Sequence, residues 1–215
     1  MKVRIILVDD HRIVREALKN LLSQDSTFDI VGEADDGWTA IELTRKLSPD
    51  LVIMDVGMPD LNGIEATRKI VAMSPNTNVL ALSMHSDKRF VAQMFKAGAK
   101  GYILKDCAFE ELLRAMRTVL ADRIYISPGI AGGVVENLIQ HSSKFDSSAF
   151  ATLTQREREV LQVMTEGKTT KETASFFNVS VKTIETHRQQ IMNKLNIHSI
   201  AELTKYAIRE GITSL

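Results

Sequence analysis

The sequence predicts an α/β domain built on a parallel sheet, followed by a small all-α domain of four short helices. Over residues 1–120, short apolar runs alternate with helical patterns five times, the signature of strands linked by crossover helices. Over residues 122–148 the alternation stops amid glycine, proline and serine, so this stretch is expected to be a linker. Over residues 149–215 only helical signals remain. The expected boundaries are therefore 1–121, 122–148 and 149–215.

Strands are expected at Val3–Val8, Phe28–Ala34, Leu51–Met54, Val79–Ser83 and Gly101–Leu104. The helical stretches between them are Val14–Leu22, Gly37–Leu47, Gly63–Ala72 and Lys88–Ala97, and Phe109–Leu120 follows the last strand. Crossovers between parallel strands are right-handed, which leaves few topologies. In the linker, Ser127-Pro128-Gly129 and Gly132-Gly133 break any regular pattern, and Val134–Ile139 reads as a marginal helix. Beyond it, Thr154-x-x-Glu157, Thr169-x-x-Glu172 and Ser199-x-x-Glu202 each spell a capping box, which satisfies the free amides of a first helical turn. Gly167 and Gly211 stand where left-handed helix stops belong.

The chain balances 27 basic against 27 acidic residues, so bulk charge marks neither a nucleic-acid nor a membrane partner. Residues 1–120 carry 16 basic and 17 acidic groups, and residues 149–215 carry 9 and 7. No run of apolar residues is long enough to span a bilayer, and the amino terminus lacks a signal-peptide pattern. The single cysteine, Cys107, excludes an internal disulfide and fits a reducing cytoplasm as a structural thiol.

The expected chemistry lies at the strand ends. Ile5–Val8 ends in Asp9-Asp10, and Leu51–Met54 ends in Asp55. If the two strands are neighbours, three carboxylates meet at one sheet edge and form an oxygen-rich nest for a hard divalent cation. Asp55 is the expected phosphoryl acceptor, Asp10 a direct metal ligand and Asp9 a ligand through water, with Mg2+ the best-suited ion. Ser83 ends the fourth strand and could hydrogen-bond a phosphoryl oxygen. Lys105 ends the fifth and could set its ammonium against the same oxygen. His11 and His85 lie near this edge and are assigned no role.

In the second domain, Thr170–Phe177 and Val181–Leu195 flank the turn Asn178-Val179-Ser180, as in a helix-turn-helix, with small Ala174 at the crossing. Ile184, Ile191 and Leu195 form an inward stripe, bordered by His187 and Lys194. Lys182, Glu185, Thr186, Gln189 and Asn193 fall on the opposite side, where they can reach phosphates and base edges. Ile200, Leu203, Ala207 and Ile208 share one side of the last helix, which makes that side either a candidate dimer surface or ordinary core.

Val8-Asp9-Asp10-His11, Met54-Asp55-Val56-Gly57-Met58-Pro59, Asn62-Gly63, Ser83 and Tyr102-Ile103-Leu104-Lys105 together resemble the receiver domain of bacterial two-component response regulators. The resemblance implies a flavodoxin-like sheet of order 2-1-3-4-5 and phosphorylation of Asp55 by a histidine kinase. It implies that the Gly57 backbone carbonyl completes the metal site, and that Ser83 and Tyr102 form a switch pair whose ring turns inward. Thr154 to Leu161, Glu166-Gly167-Lys168 and Val181-Lys182-Thr183-Ile184-Glu185-x-His187, followed by Lys194-Leu195, resemble the LuxR-type domain of the NarL/FixJ group. That implies phosphate contacts from Lys182, Thr183, Arg188 and Lys194, and base contacts from Glu185, Thr186 and Gln189. The partners implied are a histidine kinase and double-stranded operator DNA bound as a homodimer, with RNA polymerase a further candidate and no membrane. Glu185 and Gln189 stand where related domains often carry a base, so the operator sequence cannot be borrowed.

An aspartate-nucleophile phosphatase is the alternative reading, because it too uses paired acids, magnesium and a lysine. Such enzymes usually place a general acid two residues after the nucleophile, where this chain has Gly57, which cannot transfer a proton.

Overall fold

The computed structural model describes residues 2–133 and 152–213, which divide into two compact units, each described by itself below. The amino-terminal unit alternates β1 (Val3–Val8), α1 (Arg12–Leu22), β2 (Phe28–Ala34), α2 (Gly37–Leu47), β3 (Leu51–Asp55), α3 (Gly63–Met73), β4 (Asn78–Ser83), α4 (Lys88–Ala97), β5 (Gly101–Leu104) and α5 (Phe109–Leu120). All strand pairs are parallel, in the expected order β2-β1-β3-β4-β5. Ile5, Leu7, Leu51, Ile53 and Leu80 are almost fully buried, because crossover helices cover both faces of a parallel sheet.

Register carries the strand ends to one edge. Val8 pairs with Met54, so Asp9 and Asp55 leave their strands side by side. Asp55 pairs with Leu82, and Ser83 with Leu104, which brings Ser83 and then Lys105 to the same edge. Two backbone bonds prolong the ladder there: the Asp9 amide donates to the Ala34 carbonyl at 3.1 Å, and the Lys105 amide to the Ser83 carbonyl at 2.8 Å.

One expectation fails. The stretch from 122, read as linker, instead adds a sixth strand, β6 (Tyr125–Ile126), parallel to β5. Ser127 follows, its amide bonded to the Tyr102 carbonyl at 3.0 Å, and residues 128–133 are helical. Pro128 opens that helical stretch, where a missing amide costs nothing. A two-residue strand is too short to show alternation, and the Pro-Gly signal that suggested a loop marks a helix start. The marginal helix expected at Val134–Ile139 lies outside the described residues.

The carboxyl-terminal unit contains α6 (Gln155–Thr165), α7 (Thr170–Phe176), α8 (Val181–Leu195) and α9 (Ile200–Arg209). Thr154 and Thr169 form complete capping boxes with Glu157 and Glu172, whereas Ser199 accepts from the Glu202 amide without a reciprocal bond. Gly167 and Gly211 adopt φ of 97° and 72°, the left-handed stops expected of them. Leu161, Ile184, Ile191, Leu203 and Ala207 form the core. Leu203 and Ala207 are fully buried there, so for them the core reading holds and the dimer-surface reading fails; only Ile200 of that stripe is exposed.

Candidate functional site: an acidic sheet edge and a recognition helix

At the sheet edge, Asp9 and Asp55 are almost wholly buried, side by side. Lys105 Nζ lies 2.7 Å from Asp9 Oδ2 and 3.0 Å from Asp55 Oδ2, so one ammonium bridges carboxylates from two strands. Burial, then the charge of Asp9, pushes the Asp55 carboxyl from 3.8 up to about 6, although Lys105 works the other way. Burial also works against the charge of Lys105, but the two carboxylates overcome it and raise its pKa. Buried like charges are tolerated only with a cation among them, and here the lysine supplies one.

Asp10 is half-buried, and its buried Oδ1 lies 2.8 Å from His11 Nδ1. His11 Nδ1 is also 3.2 Å from Asp9 Oδ1, and the His11 amide donates to that oxygen at 2.9 Å. Asp9, Asp10, Asp55 and His11 thus offer ligand atoms within 4.8 Å of one another. An oxygen-rich set of this size suits a hard divalent cation. The structure brings together the three predicted acids and Lys105, and it adds His11, for which sequence reasoning found no role.

Ser83 and Tyr102 are fully buried beside this edge. Ser83 Oγ accepts from the His85 amide at 3.0 Å, and Tyr102 donates its hydroxyl to the His85 carbonyl at 2.7 Å. The Tyr102 ring is already buried in the unphosphorylated chain, and burial raises the pKa of its phenol. The Gly57 amide reaches Asp55 Oδ1 at 3.4 Å. Gly63, at the start of α3, sits so close to the acceptor that a Cβ there would fall 2.0 Å from the Asp55 carbonyl oxygen. Its place in the motif was visible in the sequence; the physical reason for it was not.

In the second unit, Asn178 takes a left-handed φ of 51° in the turn between α7 and α8, and Ser180 caps α8 by accepting from the Thr183 amide. Ile184 and Ile191 face the core with Met192, a core residue that the inward stripe omitted. Lys182, Glu185, Thr186, Gln189 and Asn193 are exposed on one side of α8, as expected, while Thr183 and Arg188 are half-buried. The Thr183 hydroxyl pairs with Ser180 Oγ at 2.8 Å, and Thr186 bonds back to the Lys182 carbonyl at 2.9 Å. Gln189 Nε2 donates to Asn193 Oδ1 at 2.9 Å. Lys194 differs from the rest, because its Nζ lies 2.7 Å from Glu157 Oε2 on α6.

Comparison with known proteins agrees with both units. Residues 5–117 match the response regulator receiver domain, and residues 151–207 match the bacterial regulatory proteins of the luxR family. The chain belongs to the LuxR-type two-component response regulators of the NarL/FixJ family. The oxygen regulatory protein NreC of Staphylococcus carnosus is 36% identical to this regulator over 98% of its chain and 99% of NreC. The response regulator UvrY of Escherichia coli K12 is 35% identical over 98% and 95% respectively. The crystal structure of a LuxR-family two-component response regulator from Aurantimonas sp. SI85-9A1 matches at a TM-score of 0.62 and 38% identity, covering 65% of this chain and 100% of that one. This regulator is therefore a member of a family of DNA-binding transcription regulators, with a flavodoxin-like receiver and a helical LuxR-type domain. Among the described residues, no helix is long and apolar enough to cross a membrane.

Proposed function

We propose that Asp55 accepts a phosphoryl group from a partner histidine kinase, and that this acyl phosphate switches operator binding by the carboxyl-terminal domain. A bond forms between an Asp55 carboxylate oxygen and phosphorus while the P–N bond of the donor phosphohistidine breaks and its nitrogen recovers a proton. Asp10, Asp55 and the Gly57 carbonyl would hold Mg2+, with Asp9 acting through a water. The ion supplies charge neutralisation on the transferring oxygens. Lys105 supplies a second positive charge without proton transfer. The observation that carries this reading is its ammonium within 3.0 Å of carboxylates from both β1 and β3.

Ser83 then draws its hydroxyl toward the phosphoryl oxygen, and buried Tyr102 holds the switched arrangement. Gly57 cannot act as the general acid, so the regulator stores phosphate rather than turning over substrates, which disfavours the phosphatase reading. On DNA, Lys182, Thr183, Arg188 and Lys194 contact phosphates, and Glu185, Thr186 and Gln189 meet base edges. With 9 basic and 7 acidic residues over 149–215, one copy neutralises few phosphates, so a homodimer on two half-sites is the binding species. RNA polymerase is the further partner we infer, and the cytoplasm the compartment.

Labelling with acetyl phosphate and Mg2+ tests the acceptor. The full chain should take up one phosphoryl group and Asp55→Asn none, while persistent labelling of that variant would put the acceptor elsewhere.

A further inference from the structure

We infer that His11 is a nitrogen donor to the cation site, and that it shifts the preference of that site from Mg2+ toward borderline metals such as Zn2+. This rests on the metal-site reading above and concerns a residue outside the expected ligand set. Lys105 engages Oδ2 of Asp9 and of Asp55, so its charge is spent on one side of the nest. On the other side, His11 Nδ1 lies 3.2 Å from Asp9 Oδ1 and 2.8 Å from Asp10 Oδ1. The Asp10 oxygen is itself buried, so a cation seated there would meet it away from bulk water. Donors around one ion at about 2.1 Å stand roughly 3–4 Å apart, so the Asp10, Asp55 and His11 atoms, already within 4.8 Å of one another, need only a small inward movement.

Imidazole favours zinc-like ions, whereas Mg2+ holds its waters and prefers oxygen. The exposed His11 side chain can turn about its own bonds without disturbing the core. A nest of carboxylates alone would rank these ions by charge and size; one carrying an imidazole ranks them by ligand softness as well.

Calorimetric titration of the full chain with Zn2+ and with Mg2+ separates the two readings. His11→Asn should weaken Zn2+ binding about tenfold or more and Mg2+ binding far less, so that the ratio of the two affinities falls, while circular dichroism checks that the fold is intact. Asp10→Asn should weaken both. Zn2+ binding by His11→Asn within about twofold of the parent, with Asp10→Asn impaired, would overturn the role of His11. Mg2+ binding unaffected by Asp10→Asn would overturn the metal site beneath it.

Discussion

The sheet edge and the recognition helix solve opposite problems. At the edge, Asp9, Asp55 and Ser83 are buried, and each position follows from strand register and one bridging lysine. On α8, Lys182, Glu185 and Gln189 are exposed and held mainly by the helix itself. The acids form a preorganised charge cluster whose misplacement costs stability and chemistry together. The helix presents a row of adaptable donors and acceptors whose loss costs binding while the fold survives. Substitutions at the edge should therefore register in stability, and those on α8 in affinity.

The largest expected break in that contrast is Gly63→Ala. A Cβ placed 2.0 Å from the Asp55 carbonyl oxygen cannot be absorbed by a side-chain rotation, because the obstacle is backbone. Either α3 or β3 must shift, at a cost of about 3 kcal/mol or more. Urea unfolding monitored by circular dichroism should show a lower midpoint, and acetyl-phosphate labelling should fall with it. A variant of parental stability would mean that α3 starts elsewhere.

Next comes Asp55→Asn in the absence of divalent cations. The folded carboxyl is raised from 3.8 to about 6, so the folded state holds its proton more tightly than the unfolded chain. The stability this lends is complete below pH 3.8 and is lost as pH rises through about 6. At neutral pH the buried charge is a burden, and its removal should stabilise the protein by roughly 1–3 kcal/mol. The gain should shrink as pH falls below about 6. A gain independent of pH would show that charge is not its cause.

These two residues also mark how far the sequence is legible. Apolar runs ending in acids locate the sheet edge because strand direction and register follow from burial, and Asp9, Asp10, Asp55 and Lys105 meet as the pattern requires. His11 is adjacent to Asp10 in the chain, yet the direction of its ring depends on α1 starting at Arg12, two residues before the apolar periodicity begins. β6 has two residues and exists only because β5 offers an edge. On α9, Ile200, Leu203, Ala207 and Ile208 share a side by periodicity, but which of them meet the core depends on how α9 packs on α6. Local patterns carry elements and faces; contacts between distant segments must be seen.

On α8 the effects should be smaller and should fall on affinity. Lys182→Ala should weaken binding across all DNA sequences and flatten the dependence of affinity on salt by about one ion. Gln189→Ala should alter preference at one base pair by about 1–3 kcal/mol and leave the salt slope unchanged. Fluorescence anisotropy with two operators at several salt concentrations separates the two. Uniform weakening by both would show that Gln189 does not face base edges.

The smallest expected effect belongs to Lys194, which stands between the two classes. Its ammonium is 2.7 Å from Glu157, the residue that completes the cap of α6. Burial works against the charge of that carboxylate, but Lys194 and Thr154 hold its pKa below the ordinary value. The stability from this pairing is thus present above pH 4.5 and fades as pH falls through the depressed value. Lys194 is partly exposed, so Lys194→Gln should cost less than about 1 kcal/mol at neutral pH. The proposed phosphate contact requires the lysine to leave Glu157 on DNA; an affinity and salt slope equal to the parent's would show that it stays and overturn that contact. If it leaves for a phosphate, the slope should flatten as it does for Lys182→Ala, and stability and binding would then compete for one ammonium.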